Sequence, residues 1–179
     1  LAAAGIQQIL IITGQKKRAI EDHFDKDNEL NRLLSLSGQK EQLSKLTFED
    51  MNVQFFYTRQ STPAGLGDAV SHARHFVGEE PFVIALGDSI ISSAEGTPLL
   101  QRMLKQHQLD PEALILGTRQ VPLEHVERYG IVKPSGEMKD NIAEIDDVIE
   151  TPPPARAPST LAFAARYIMP PGIFNSLER

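Results

Sequence analysis

Residues 53–57, Val-Gln-Phe-Phe-Tyr, form an apolar, aromatic run suited to a buried strand, and residues 69–77 carry apolar side chains suited to one face of a helix. Between them lies Thr58-Arg59-Gln60-Ser61-Thr62-Pro63-Ala64-Gly65-Leu66-Gly67-Asp68, which makes the segment a strand-to-helix crossing. In open α/β sheets such crossings border the crevice beyond the carboxyl ends of the strands, where ligands bind. Gly65 and Gly67 let the backbone approach a flat or charged ligand closely, and free N–H groups at the start of the helix favour anions. Gln60 adds an amide with both a donor and an acceptor, which matches the edge of a uracil-like base. The same Gly-Leu-Gly spacing also serves ordinary loop geometry. Spacing alone leaves both readings open.

The rest of the chain repeats this alternation. Gln8–Thr13 is a near-continuous apolar, β-branched run ended by Gly14, the pattern of a strand buried on both faces as in parallel sheets. Residues 16–24 read as a short helix, and residues 28–46, with Leu30, Leu33, Leu34 and Leu36, as a longer one with a polar outer side. A third strand, 82–86, runs into Gly87-Asp88-Ser89. Asp88 at a strand end either faces the same crevice as Gln60, where a carboxylate can hold Mg²⁺ against phosphate oxygens, or caps the following turn. A helix over 99–108 and a strand over 113–116 complete a pattern that favours a three-layer, doubly wound, mostly parallel sheet. Residues 129–132, 142–149 and 160–169 then read as short strands around the linker Pro152-Pro153-Pro154, an antiparallel elaboration on the substrate side.

Composition removes other classes. The net charge of −6 argues against a nucleic-acid or membrane-surface partner, and the absence of cysteine excludes disulfides, thiol catalysis and thiolate metal sites. No apolar run approaches a bilayer span and the start lacks a secretion signal, so the expected location is cytoplasmic. Glu21, Asp22 and His23 occupy adjacent helical positions that point in different directions, and His72 with His75 lacks a third ligand, so neither group reads as a metal site. Leu1-Ala2-Ala3-Ala4-Gly5 has no initiator Met and reads as a last helical turn ended by a glycine cap. The chain is expected to begin inside a larger protein.

Taken in order, Ala3-Ala4-Gly5-Ile6, Ile20-Glu21-Asp22-His23-Phe24-Asp25, Arg59-Gln60 with Gly65-Leu66-Gly67-Asp68-Ala69-Val70, Leu86-Gly87-Asp88, Tyr129-Gly130-Ile131-Val132, Ile149-Glu150-Thr151-Pro152 and Ala157-Pro158-Ser159-Thr160-Leu161-Ala162 with Arg166-Tyr167 cover nearly the whole chain. This set resembles the bacterial UTP–glucose-1-phosphate uridylyltransferases, also called UDP-glucose pyrophosphorylases. The resemblance implies a Rossmann-like nucleotidyltransferase fold, with residues 1–179 forming a single domain incomplete at both ends. It lacks the family's N-terminal phosphate-loop signature and C-terminal segment, so the fragment alone is expected to be inactive and to leave strand edges unpaired or pair them with another chain.

By the same resemblance Gln60 reads uracil, Gly65 lies against the base with Gly67 in the same loop, Asp88 is the catalytic Mg²⁺ ligand, and Gly130 and Glu150 contact the glucosyl group. Gln60, Gly65 and Asp88 would then border one cleft, with Glu150 facing it. The implied reaction converts UTP and glucose 1-phosphate into UDP-glucose and diphosphate, with Mg²⁺ as cofactor and a homo-oligomer as the expected assembly. The family usually carries Lys directly after its sugar-binding Glu. Here that position is Thr151, and Lys133 is the nearby cation that the expected strands bring toward the same phosphate. A non-catalytic nucleotide-sugar-binding or regulatory relative is the alternative that Thr151 favours, and a related thymidylyltransferase is another.

Overall fold

The computed structural model describes residues 1–46, 51–92 and 96–178. The chain divides into two compact units, Leu1–Gly78 with Gly172–Arg179, and Glu79–Pro171.

In the first unit, β1 (Gln8–Thr13) and β2 (Gln54–Arg59) pair in parallel, Gln8 opposite Gln54 through to Thr13 opposite Arg59. Successive side chains of a strand point to opposite faces, and β2 uses this to hold a helix on each. Phe55 stacks on Phe24 of α1 (Arg18–Phe24) with ring centroids 4.8 Å apart, while Phe56 meets Phe76 of α5 (Arg74–Val77) at 4.9 Å. The sheet thus lies between helices, although residues 9–12 of β1 are only half-buried where the apolar run at 8–13 implied burial on both faces. The helix expected over 28–46 is broken into α2 (Asn28–Leu36) and α3 (Lys40–Ser44) at Gly38, whose φ of 69° is left-handed. That expected over 69–77 starts earlier and splits into α4 (Leu66–Ser71) and α5. From the far end of the sequence, α7 (Ile173–Leu177) packs on α4, with Phe174 buried and the Arg74 guanidinium paired with Glu178.

The second unit holds a five-stranded sheet of β3 (Phe82–Ala85), β4 (Ile115–Gln120), β5 (Gly130–Pro134), β6 (Ile145–Glu150) and β7 (Leu161–Met169). Here the expected mostly parallel sheet needs correction: every pairing in this larger sheet is antiparallel. β7 is the centre of it, running opposite to β3, β4 and β5 at once. An apolar run reports that a strand is buried, not which way its neighbours travel. The run at 160–169 is long and apolar because it is the most enclosed strand of the unit, with Ala162, Ala164, Ala165, Tyr167 and Ile168 buried. α6 (Leu99–Leu109) covers β4 and β7 through Met103, and Val121, Val126, Ile131 and Ala162 form the core beside it. Among the described residues no helix is long and apolar enough to cross a membrane.

Candidate functional site

In the first unit the crossing loop is held from both ends. Gln60 follows β2 directly, and its backbone N–H donates to Thr13 O at 2.9 Å, extending the β1–β2 ladder by one bond. Its side-chain Nε2 donates to Asp68 Oδ2 at 2.6 Å and to Gly65 O at 3.3 Å. Gly65 caps α4 with φ 97°, a conformation that costs an L-residue free energy and glycine almost none. Among the described residues nothing lies within 4 Å of where its Cβ would be, so the loop is open to them on that side. Gly67 is different: a Cβ there would sit 3.2 Å from Leu177 Cδ2, so this glycine serves the packing of α7 on α4. The helix start, whose free N–H groups favour anions, carries its own anion, Asp68, in the first turn. A carboxylate there repels phosphate, which leaves the loop better suited to a base than to a triphosphate.

The loop after β3 belongs to the second unit. Asp88 is exposed, and Ser89 Oγ donates to its Oδ1 at 3.2 Å. Arg166 of β7, a residue to which sequence reading assigned no role, binds the backbone on either side of it, donating to Leu86 O at 3.2 Å and Ser89 O at 3.0 Å. Nothing in the spacing of Arg166 and Asp88 along the chain signals this; it follows from the antiparallel pairing of β3 with β7.

Gly130 and Glu150 are far apart in sequence and opposite each other in space, as register partners across β5 and β6. A Cβ on Gly130 would lie 2.8 Å from Glu150 Oε2 and 2.7 Å from Phe163 Cδ2, inside both. The glycine is what leaves room for both the carboxylate and the Phe163 ring beside the strand. Burial first, and the Glu150 carboxylate second, push the Tyr167 phenol above its ordinary value. Thr151 follows with φ 43°, an outlying conformation for a β-branched residue, and its N–H donates to Tyr129 O at 3.1 Å. Lys133 points away from the Gly130–Glu150 pair. It is three residues from Gly130 on the same strand, so it faces the other side of the pleat, and its Nζ lies 3.5 Å from Asp146 Oδ2.

Among the described residues no cluster of three or more His, Asp or Glu side chains could enclose a metal ion. A lone exposed carboxylate fits Mg²⁺ nonetheless, because that ion keeps water and substrate phosphates and takes only one or two protein carboxylates.

The sheets and helices together make up the α/β fold of the nucleotidyltransferases. The chain belongs to the nucleotidyl transferase family, which it matches over residues 1–179. Its sequence is 42% identical over 178 residues to the UTP–glucose-1-phosphate uridylyltransferase of Streptococcus pyogenes, covering 98% of this chain and 58% of that protein. Its structure is similar to that of a UTP-bound UGPase from Acinetobacter baumannii (TM-score 0.89, 32% identity, 98% of this chain and 62% of the other). It is also similar to a UDP-glucose pyrophosphorylase complexed with UDP-glucose (TM-score 0.84, 30% identity, 98% and 63%). The chain therefore spans less than two thirds of the length of these relatives.

Proposed function

We propose that the protein transfers a uridylyl group from UTP to glucose 1-phosphate, giving UDP-glucose and diphosphate. The observation that carries this reading is the Gly130–Glu150 register pair, where an absent side chain makes room for a carboxylate beside an aromatic ring. Carboxylates accept hydrogen bonds from sugar hydroxyls, and an adjoining ring face suits the apolar side of a pyranose. The similarity to the uridylyltransferase of Streptococcus pyogenes, which runs through both units, supports it. We take the two units as parts of one nucleotidyltransferase domain on the same ground, and keep the cytoplasmic location with it.

In this reading a phosphate oxygen of glucose 1-phosphate attacks the α-phosphorus of UTP, and the bond to the β-phosphate oxygen breaks in line as diphosphate leaves. Gln60 and Gly65 bind the base, Gly67 fixes their loop, and Glu150 orients the sugar over Gly130. Thr151 offers the sugar phosphate a neutral hydroxyl. Asp88 is the residue that would hold Mg²⁺, which when bound neutralises charge on the phosphate oxygens. Arg166 keeps the Asp88 loop in shape. Positioning and charge neutralisation together account for most of phosphoryl-transfer catalysis.

Thr151 favours a second reading, a protein that binds nucleotide-sugar without turning it over, because a hydroxyl does not replace a cation at a phosphate. Incubating the intact protein with UTP, glucose 1-phosphate and Mg²⁺, and following UDP-glucose and diphosphate, separates the two. Formation of both products supports the transferase. Tight UDP-glucose binding without turnover replaces it with the binding protein.

A further inference from the structure

We propose that Asp68 is a positioning residue that sets the base preference of the protein by locking the Gln60 amide with its carbonyl oxygen outward. This rests on the reading that Gln60 meets the base.

Both partners of Gln60 Nε2, the Asp68 carboxylate at 2.6 Å and the Gly65 carbonyl at 3.3 Å, are acceptors only. An amide turned the other way would set its oxygen against two acceptors, so chemistry fixes the orientation independently of how the two ends of an amide are told apart. The bond to Asp68 is charge-assisted and correspondingly strong. Asp68 is itself braced: its backbone oxygen lies 2.8 Å from His72 Nδ1, one turn further along the helix.

With both amide hydrogens engaged, Gln60 offers a ligand only Oε1, which among the described residues accepts no hydrogen bond. An acceptor fits the N3–H of uracil or thymine and opposes the bare N3 of cytosine. A freely turning amide would serve either base, presenting its oxygen to one and its NH₂ to the other. Asp68 removes the second option. Its side chain is 37% exposed, so it can be replaced without leaving a cavity in the core.

Calorimetric titration of the intact protein with UTP and with CTP tests this without requiring turnover. The expected result is that Asp68→Asn, whose own NH₂ can stabilise the flipped amide, narrows the UTP-over-CTP affinity ratio by about tenfold. Asp68→Ala narrows it less, and Asp68→Glu, which keeps the acceptor, restores it. If Asp68→Asn and Asp68→Ala weaken both nucleotides by one common factor, Asp68 only shapes the loop and the inference is overturned. Gln60→Ala separates that failure from a deeper one. If it leaves UTP affinity unchanged, Gln60 does not meet the base, and the assignment of the loop falls together with the inference.

Discussion

Arg166 clasps the loop that carries Asp88: one guanidinium nitrogen reaches the carbonyl two residues before the aspartate and the other the carbonyl one residue after it. A planar fork can bridge two carbonyls in this way, whereas the single ammonium of lysine meets one at a time. Arg166→Lys is therefore expected to loosen the loop while keeping the charge. At about 1 kcal/mol per lost bond, the Mg²⁺ concentration giving half-maximal rate should rise roughly fivefold, with little change in the KM for glucose 1-phosphate. A metal titration of the intact protein checks this.

Gly130→Ala sets a Cβ inside the contact distances of Glu150 Oε2 and Phe163 Cδ2, so one of them must move. Overpacking of this kind costs about 1–3 kcal/mol of stability. Because the displaced group is the proposed sugar contact, the KM for glucose 1-phosphate should rise while UTP affinity holds. Equal loss for both substrates would argue that Gly130 serves packing alone.

Thr151 combines a strained backbone with a neutral side chain. Thr151→Lys removes the β-branch and adds a cation able to make a charge-assisted bond of ~1.5–3 kcal/mol, or roughly tenfold to more than a hundredfold in turnover. Nucleotide binding through Gln60 should not change. Lys133, turned to the opposite pleat and paired with Asp146, should be dispensable, and Lys133→Ala is expected to leave turnover within about twofold. Steady-state kinetics of the two variants decide which position matters.

Two tyrosines predict an alkaline limb of stability. Burial first, then the charges of Asp25 and Glu21, raise the Tyr57 phenol above its ordinary value, and burial followed by Glu150 raises Tyr167. A raised phenol holds its proton in the folded state after the unfolded chain has lost it. The stability it contributes is complete below the unfolded value near 10.0 and is lost as pH rises from there through the folded one. The double variant Tyr57→Phe, Tyr167→Phe should show a shallower fall in Tm between about pH 9 and pH 11. At neutral pH Tyr57→Phe alone should cost no more than ~0.5 kcal/mol, because the Tyr57 hydroxyl is buried with no partner among the described residues.

What could be read from sequence followed from local physics. Gln8–Thr13 matches β1 at both ends because a β-branched run closed by glycine has few alternatives. β2 runs past Tyr57 to Arg59 for a tertiary reason: the Arg59 guanidinium donates twice to Glu21 Oε1, at 2.8 and 3.1 Å, drawing the strand end toward α1. The antiparallel arm and the facing of Gly130 and Glu150 were within reach, since both residues stand at strand ends. Asp68 and Arg166 were not. An acidic residue in the first turn of a helix and a basic one in a strand are common for reasons of their own, and only the folded backbone brings them to Gln60 and to the Asp88 loop.

The central place of β7 also governs when the second unit can form. Phe82 of β3 pairs with Met169, and Gln120 of β4 with Leu161, so neither strand has its partner until the ribosome has released residues 161–169. Until then β3 and the apolar start of β4, Ile115 and Leu116, emerge with open edges, the form most prone to wrong pairing, while β5 and β6 can already close as a local hairpin. A nascent chain stalled before Leu161 would therefore carry a formed β5–β6 arm and no sheet for it to join, and would be a ready client for chaperones that shield exposed apolar strands.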